Sequence, residues 1–77
     1  MVKMSEEWVY DSIKCTIRIT SIRAFFVSFR SGRLLWIAQS LVRNVMDVDM
    51  YNHSEEQVLE VPLWFIEKHN ISWESWI

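Results

Sequence analysis

The sequence contains one cysteine, one glycine and one proline among its 77 residues. With Cys15 alone, no disulfide can form within the chain, and a single thiol is typical of a reducing compartment. With Gly32 alone, no glycine-rich phosphate loop is possible. The G-x-S-x-G, H-E-x-x-H and C-x-x-C patterns are also absent. These absences favour a protein that is not an enzyme and has no catalytic residue, metal site or cofactor.

Long apolar segments are missing as well. Uncharged runs such as residues 24–29 and 34–42 are far shorter than the roughly 20 residues that span a membrane. Residues 1–7 mix Lys3 with Glu6 and Glu7 and do not resemble a signal peptide. We therefore expect a cytoplasmic protein with no membrane partner.

What the sequence has in excess is apolar side chain. Hydrophobic residues make up 51% and aromatic residues 14%, including five tryptophans. A chain this short buries only about 60% of its unfolded surface, so one small core cannot readily hide so much apolar surface. We predict a single domain, residues 1–77, that assembles into a homo-oligomer of between two and six copies.

The net charge of −2 argues against duplex nucleic acid as a partner. The charges are unevenly distributed, however, because residues 47–60 hold five acidic residues and no lysine or arginine. Residues 14–43 show the reverse, with no acidic residue and six basic ones: Lys14, Arg18, Arg23, Arg30, Arg33 and Arg43. The first half of the chain therefore favours a local anion site.

Alternation of side chains predicts two successive strands in the first half. In residues 13–21 it predicts a half-buried strand, with one apolar face made by Ile13, Cys15, Ile17 and Ile19. Residues 22–30 are apolar on both faces, which is typical of a strand covered on two sides. Gly32 marks a hairpin turn, and residues 34–37 form the returning strand.

Further strands are predicted at residues 42–51 and 58–61. Pro62 suits the first position of a helix over residues 62–70, and Asn70 tolerates the left-handed conformation at its end. An aromatic tail follows at 71–77, whereas residues 1–12 fit either an edge strand or a short helix. The fold class is mainly β with a short C-terminal helix (α+β), as a small antiparallel sheet or a partly open barrel.

The candidate site residues are arginines and tryptophans. Guanidinium groups bind phosphates through a bidentate fork, and bases stack on aromatic faces. Two alternatives stay open: the tryptophans fill the core while the arginines keep the sheet soluble, which the residues alone slightly favour, or both line a ligand pocket. The predicted ligand-binding residues are Arg18, Arg23, Arg33, Trp36 and Trp64.

Other reactive side chains favour structural roles. Cys15 lies on the predicted buried face, where a thiol is usually inert. His53 lies in an acidic loop and His69 at a helix end, and both are more typical of surface histidines than of general bases. Asp47 and Asp49 are predicted on the same strand face, where solvated carboxylates are more common than a shared cation.

Three segments of the chain resemble a family of short phage-encoded accessory proteins. Residues 21–27 correspond to the family pattern T-x-K-A-[IV]-L-[VF], residues 35–42 to V-W-[IL]-P-x-S-x-[IV], and residues 59–71 to I-x-[VI]-P-x-W-[LI]-A-E-K-x-[GN]-[LI]. The chain departs from these patterns in having Arg23 in place of lysine and Ala38 in place of proline, and in its extra tail.

The resemblance implies a non-enzymatic viral protein that acts against host defence, in the host cytoplasm. One expected mode is a sponge that sequesters a nucleotide-type immune signal, such as a cyclic oligonucleotide or a molecule like cyclic ADP-ribose, in a pocket at a subunit interface. The alternatives are an inhibitor that blocks a host defence protein, like an anti-CRISPR protein, and a small single-strand nucleic-acid binder.

Overall fold

A computed structural model describes residues 8–71, which form a four-stranded antiparallel sheet and one short helix. The strands lie in the order β3-β2-β1-β4, so the sheet is open and β3 and β4 are its edges. This confirms the mainly β fold with a short C-terminal helix, as an open sheet. The elements are β1 (Tyr10–Thr20), β2 (Ala24–Ser28), β3 (Leu34–Ala38), β4 (Glu56–Pro62) and α1 (Leu63–Lys68).

The hydrophobic core lies on one face of the sheet. The helix α1 contributes Phe65 and Ile66 to it, and the connection from β3 to β4 contributes Val42. From the strands, the core takes residues that alternate along β1, β2 and β4, together with one residue of β3: Ile13, Cys15, Ile17, Phe25, Val27, Ile37, Leu59 and Val61. Three of the four residues on the apolar face predicted for residues 13–21 belong to this set: Ile13, Cys15 and Ile17.

Ile19 is the exception, because β1 contains a β-bulge. Ile17 pairs with Val27 and Ile19 pairs with Phe26, so Arg18 is an extra residue in β1. A bulge of this kind shifts the alternation by one residue. Ile17 is therefore fully buried, whereas Ile19 is 50% exposed on the opposite face. The prediction that one apolar face continues through Ile19 was wrong.

The strand predicted at residues 42–51 is also absent. This connection forms two 3-10 helices, Gln39–Leu41 and Val45–Asp47, followed by a loop. Val42 is buried, and Val45 and Val48 pack against the core. Val45 and Val48 are three residues apart, which matches the 3.0 residues per turn of a 3-10 helix. Both therefore face the core, whereas Met46, one residue after Val45, points away and is 92% exposed.

The predicted turn residues take the backbone conformations expected of them. Gly32 has φ of 92°, and Asn70 has φ of 51° just after α1. Pro62 is the last residue of β4 and the N-cap of α1 rather than its first helical residue.

At six residues, α1 is too short to cross a bilayer, as is every other helix in the described part of the chain.

Several predicted boundaries shift by a few residues. The first strand begins at Tyr10 instead of residue 13. Of residues 1–12, for which a strand and a helix were both considered, residues 10–12 are therefore strand. The second strand begins at Ala24, because Ile22 lies in the preceding turn and is 93% exposed. Of the aromatic tail, only Ile71 lies within the described residues, and it is buried.

Candidate ligand-binding face

The face of the sheet opposite the core carries the candidate site. We call it the outer face. It is built by side chains of β1, β2 and β3 that alternate with the core residues: Thr16, Arg18, Ile19, Phe26, Ser28, Leu34 and Trp36. Leu34, Trp36 and Ile19 are 54%, 51% and 50% exposed. No element within residues 8–71 covers them.

An aromatic pair lies at the centre of the outer face. Phe26 and Trp36 are directly opposite each other in the pairing of β2 with β3, where cross-strand side chains lie closest. Their ring centroids are 4.9 Å apart, and the ring planes are inclined by 41°. The pair presents an apolar aromatic surface on which a planar ring can stack.

Arg18 lies on this face next to the core residue Ile17, as alternation predicts, and the bulge in β1 adds Ile19 beside it. The Arg18 Nε donates a hydrogen bond to Ser28 Oγ at 2.9 Å, and Ser28 lies two residues beyond Phe26 on β2. The contact holds the guanidinium beside the aromatic pair. Its terminal amino groups donate no hydrogen bond to another side chain or carbonyl between residues 8 and 71. They are therefore available to an anion.

The other predicted site residues lie elsewhere. Arg23 is exposed in the turn between β1 and β2. Arg33 lies in the turn before β3, and its guanidinium donates to the Asn70 carbonyl at 3.0 Å. Trp64 lies on α1, on the core side of the sheet, with Trp8 against it at 5.6 Å between centroids. Of the five residues predicted, the structure thus brings Arg18 and Trp36 to one face.

Phe26 is the residue of this face that sequence reasoning missed. The signal was present, because residues 22–30 are apolar on both faces and such a strand is typically covered twice. In the described chain only the side that includes Phe25 and Val27 is covered. Phe26 therefore remains half-buried beside the exposed ring of Trp36.

Two arginines of the basic half form ion pairs with glutamates of the acidic half. Arg30 makes a bidentate contact with Glu56, with Nε and Nη2 donating at 2.8 and 2.9 Å. Arg43 donates to Glu60 at 2.9 Å and lies 4.6 Å from the centroid of the Tyr10 ring. The acidic stretch thus neutralises part of the basic one, so neither surface is as strongly charged as the sequence order indicates.

The sequence offers one nucleophile candidate, Cys15, and two general-base candidates, His69 and His53. Burial, with a smaller contribution from Glu56, raises the pKa of the Cys15 thiol to about 12, which keeps it protonated at neutral pH. Partial burial, with Lys68 and Arg33 nearby, lowers the pKa of His69, whose ring packs on Phe65. His53 Nε2 lies 2.9 Å from the Met50 carbonyl oxygen.

Asp47 and Asp49 do not share a strand face, since Asp47 ends a 3-10 helix and Asp49 follows in a loop. The Asp49 carboxylate accepts a hydrogen bond from the Tyr51 amide at 3.1 Å. Between residues 8 and 71, no three His, Cys, Asp or Glu side chains are grouped so as to hold a metal ion.

The candidate site is a flat face rather than a cavity. The part of the chain that the structure describes contains no pocket. Comparison with protein-family models, with curated proteins and with solved structures found no match to this chain.

Proposed function

We propose that this chain is a non-enzymatic binding protein that holds a nucleotide-type small molecule against the outer face of its sheet. One observation carries the proposal: an exposed aromatic pair, Phe26 and Trp36, shares that face with Arg18. The rings suit a planar base, and the guanidinium suits a phosphate. The two chemical elements of a nucleotide are thus matched on one surface.

An open face by itself binds a small ligand weakly, since ligand sites usually bury 70–90% or more of the ligand surface, as a general figure. The described residues form no pocket of that depth. The proposed site therefore lies at a seam between copies of the chain, where a second surface closes over the ligand. This keeps the homo-oligomer as part of the proposed function.

The biological role that we propose is sequestration of a nucleotide-type immune signal by a viral anti-defence protein in the host cytoplasm. The resemblance to short phage-encoded proteins supports this finer statement, and the arrangement of Arg18 and Trp36 supports its chemistry. Cyclic oligonucleotides and molecules like cyclic ADP-ribose are the ligands to test first.

The test is a thermal melt of the full chain with a panel of cyclic and linear nucleotides. At a ligand concentration about a hundredfold above Kd, linkage stabilises a protein by about 2.7 kcal/mol. For a domain of this size, that corresponds to a rise in Tm of about 10 °C or more. No rise with any nucleotide would refute the proposal.

Matched variants locate the site. We expect Arg18→Gln to weaken binding at least about tenfold, because a charge-assisted contact to phosphate is lost. Lys68→Gln removes the same charge from α1 and should leave binding unchanged. Likewise, Trp36→Leu should weaken binding, whereas Tyr51→Leu, which removes a ring that is 92% exposed in a loop, should not.

Two other outcomes would favour the alternatives. Recovery of one host protein in fixed ratio, with no nucleotide effect, would indicate a protein inhibitor. The pairing of Glu56 and Glu60 with arginines argues against an inhibitor that imitates nucleic-acid charge. Salt-dependent binding of oligonucleotides, with no response to small nucleotides, would indicate a single-strand nucleic-acid binder.

A further inference from the structure

The two edges of the sheet are finished differently. On β4, the outward main-chain groups are occupied by the connection that precedes the strand. The Arg43 amide donates to the Glu60 carbonyl at 2.8 Å, and the Glu60 amide donates to Asn44 Oδ1 at 2.9 Å. Asn44 Nδ2 also donates to the Val58 carbonyl at 3.0 Å. This edge is therefore largely closed to a further strand.

The β3 edge is open. The Gln39 amide donates to the Arg23 carbonyl and the Phe29 amide donates to the Arg33 carbonyl. These two bonds show which residues of the β2–β3 pair are hydrogen-bonded to each other and which are not. Residues two apart behave alike, so Leu35 and Ile37 bond to β2. Leu34 and Trp36 direct both of their main-chain groups away from the sheet. Ala38 directs its amide there, whereas its carbonyl faces the 3-10 helix Gln39–Leu41, of which Ala38 is the N-cap. Over residues 8–71 the Leu34 and Trp36 groups and the Ala38 amide find no partner.

The side chains of β3 do not protect this edge. Natural edge strands usually carry a charge, a proline or a bulge that discourages pairing with another strand. The segment Leu34–Ala38 reads LLWIA, with no charged residue and no proline. Its pairing with β2 is regular from Ala24 opposite Ala38 to Ser28 opposite Leu34. It is an uncharged, regular and exposed template for one more strand.

We propose that the β3 edge pairs with β3 of a second copy, antiparallel across a two-fold axis centred on Trp36. Each Trp36 then bonds to the other Trp36, and the Ala38 amide of each copy donates to the Leu34 carbonyl of the other, for about four main-chain hydrogen bonds. The sheets of the two copies become one continuous sheet.

The charges and side-chain sizes around β3 favour a copy of this chain as the occupant. In this register Arg33 of one copy lies opposite Gln39 of the other, so no like charges meet across the axis. A large Leu34 lies against a small Ala38 on both sides of the axis. The pairing also brings the two Phe26 and Trp36 pairs next to each other on the outer face. It does not depend on any ligand.

Ala38→Pro is the decisive variant. Ala38 has φ of −62°, which proline adopts without strain, and its amide makes no bond to β2. Proline therefore removes a donor from the proposed pairing while leaving the sheet of one copy intact. We expect at least about a tenfold higher dimer dissociation constant by sedimentation, because two hydrogen bonds per dimer are lost. Ala38→Ser keeps the amide and should dimerise like the wild type.

A charge pair tests the register. Leu34→Glu alone should weaken the dimer, and adding Ala38→Lys in the same chain should recover at least part of the affinity, since the two new charges meet across the axis. No recovery would overturn the register centred on Trp36. Circular dichroism and thermal melts of every variant check that the single copy still folds.

Hydrogen exchange identifies the occupant. The amides of Trp36 and Ala38 should become protected as the protein concentration rises. Protection that is independent of concentration would mean that the chain covers its own edge, and a wild-type monomer at every concentration would equally overturn the pairing. Arg18→Gln should leave the dimer intact, so a failure of nucleotide binding and a failure of pairing are distinguishable.

Discussion

Two isoleucines on β1 test the bulge that moves Ile19 to the outer face. Ile17 is fully buried and Ile19 is 50% exposed, although the two are separated only by Arg18. Ile→Val removes one methylene, which typically costs 0.5–1.5 kcal/mol in a packed core and less than about 0.5 kcal/mol on a surface. We therefore expect Ile17→Val to lower the free energy of unfolding by about 1 kcal/mol and Ile19→Val to change it little.

The measurement is urea denaturation followed by tryptophan fluorescence, with a thermal melt as a second probe. A loss of about 1 kcal/mol corresponds to a fall in Tm of about 4–8 °C for a domain of this size. Both variants have the same composition, so Ile19→Val is the control for Ile17→Val. Equal losses in the two variants would refute the bulge and would place Ile19 on the core face, as simple alternation predicts.

Two further predictions concern residues whose chemistry is set by the fold. Since burial raises the pKa of Cys15 from 9.0 to about 12, its contribution to stability is complete below about pH 9 and is lost as the pH rises towards 12. The urea midpoint of the wild type should therefore fall more steeply above pH 9 than that of Cys15→Ala, and parallel curves would contradict this. Gly32 has φ of 92°, so Gly32→Ala should cost about 1–2 kcal/mol of unfolding free energy. Ser31→Ala in the same turn should cost almost nothing. Equal losses in the two variants would show that the positive φ of Gly32 is not the cause of the destabilisation.

Much of the sheet could be predicted because its signals are local. A period of two in β1 and around Leu59 identifies half-buried strands, and Gly32 marks the turn before β3 because it tolerates positive φ. Pro62 and Asn70 bracket α1 for similar reasons of backbone geometry. The segment at residues 42–51 was mistaken for a strand, because a few apolar residues at mixed spacing fit both a strand and two 3-10 turns.

The candidate site was only partly predictable. Basic residues crowd the first half of the chain, and this pointed to Arg18 and Trp36 together with Arg23, Arg33 and Trp64. Composition does not say on which side of a sheet each side chain lies. The bulge that places Ile19 beside Arg18, and the Glu56 carboxylate that binds Arg30, depend on strand pairing between residues far apart in the sequence.

The sequence by itself therefore determined the strands of the hairpin, the turn at Gly32, the helix after Pro62 and the inert position of Cys15, since each follows from neighbouring residues. The tertiary structure decided the rest: the order β3-β2-β1-β4, the reversal of Ile19, the largely closed β4 edge, and a β3 edge that no segment between residues 8 and 71 covers. The physical reason is that register and edge coverage are set by hydrogen bonds between distant segments, and these leave no periodic signal along the chain.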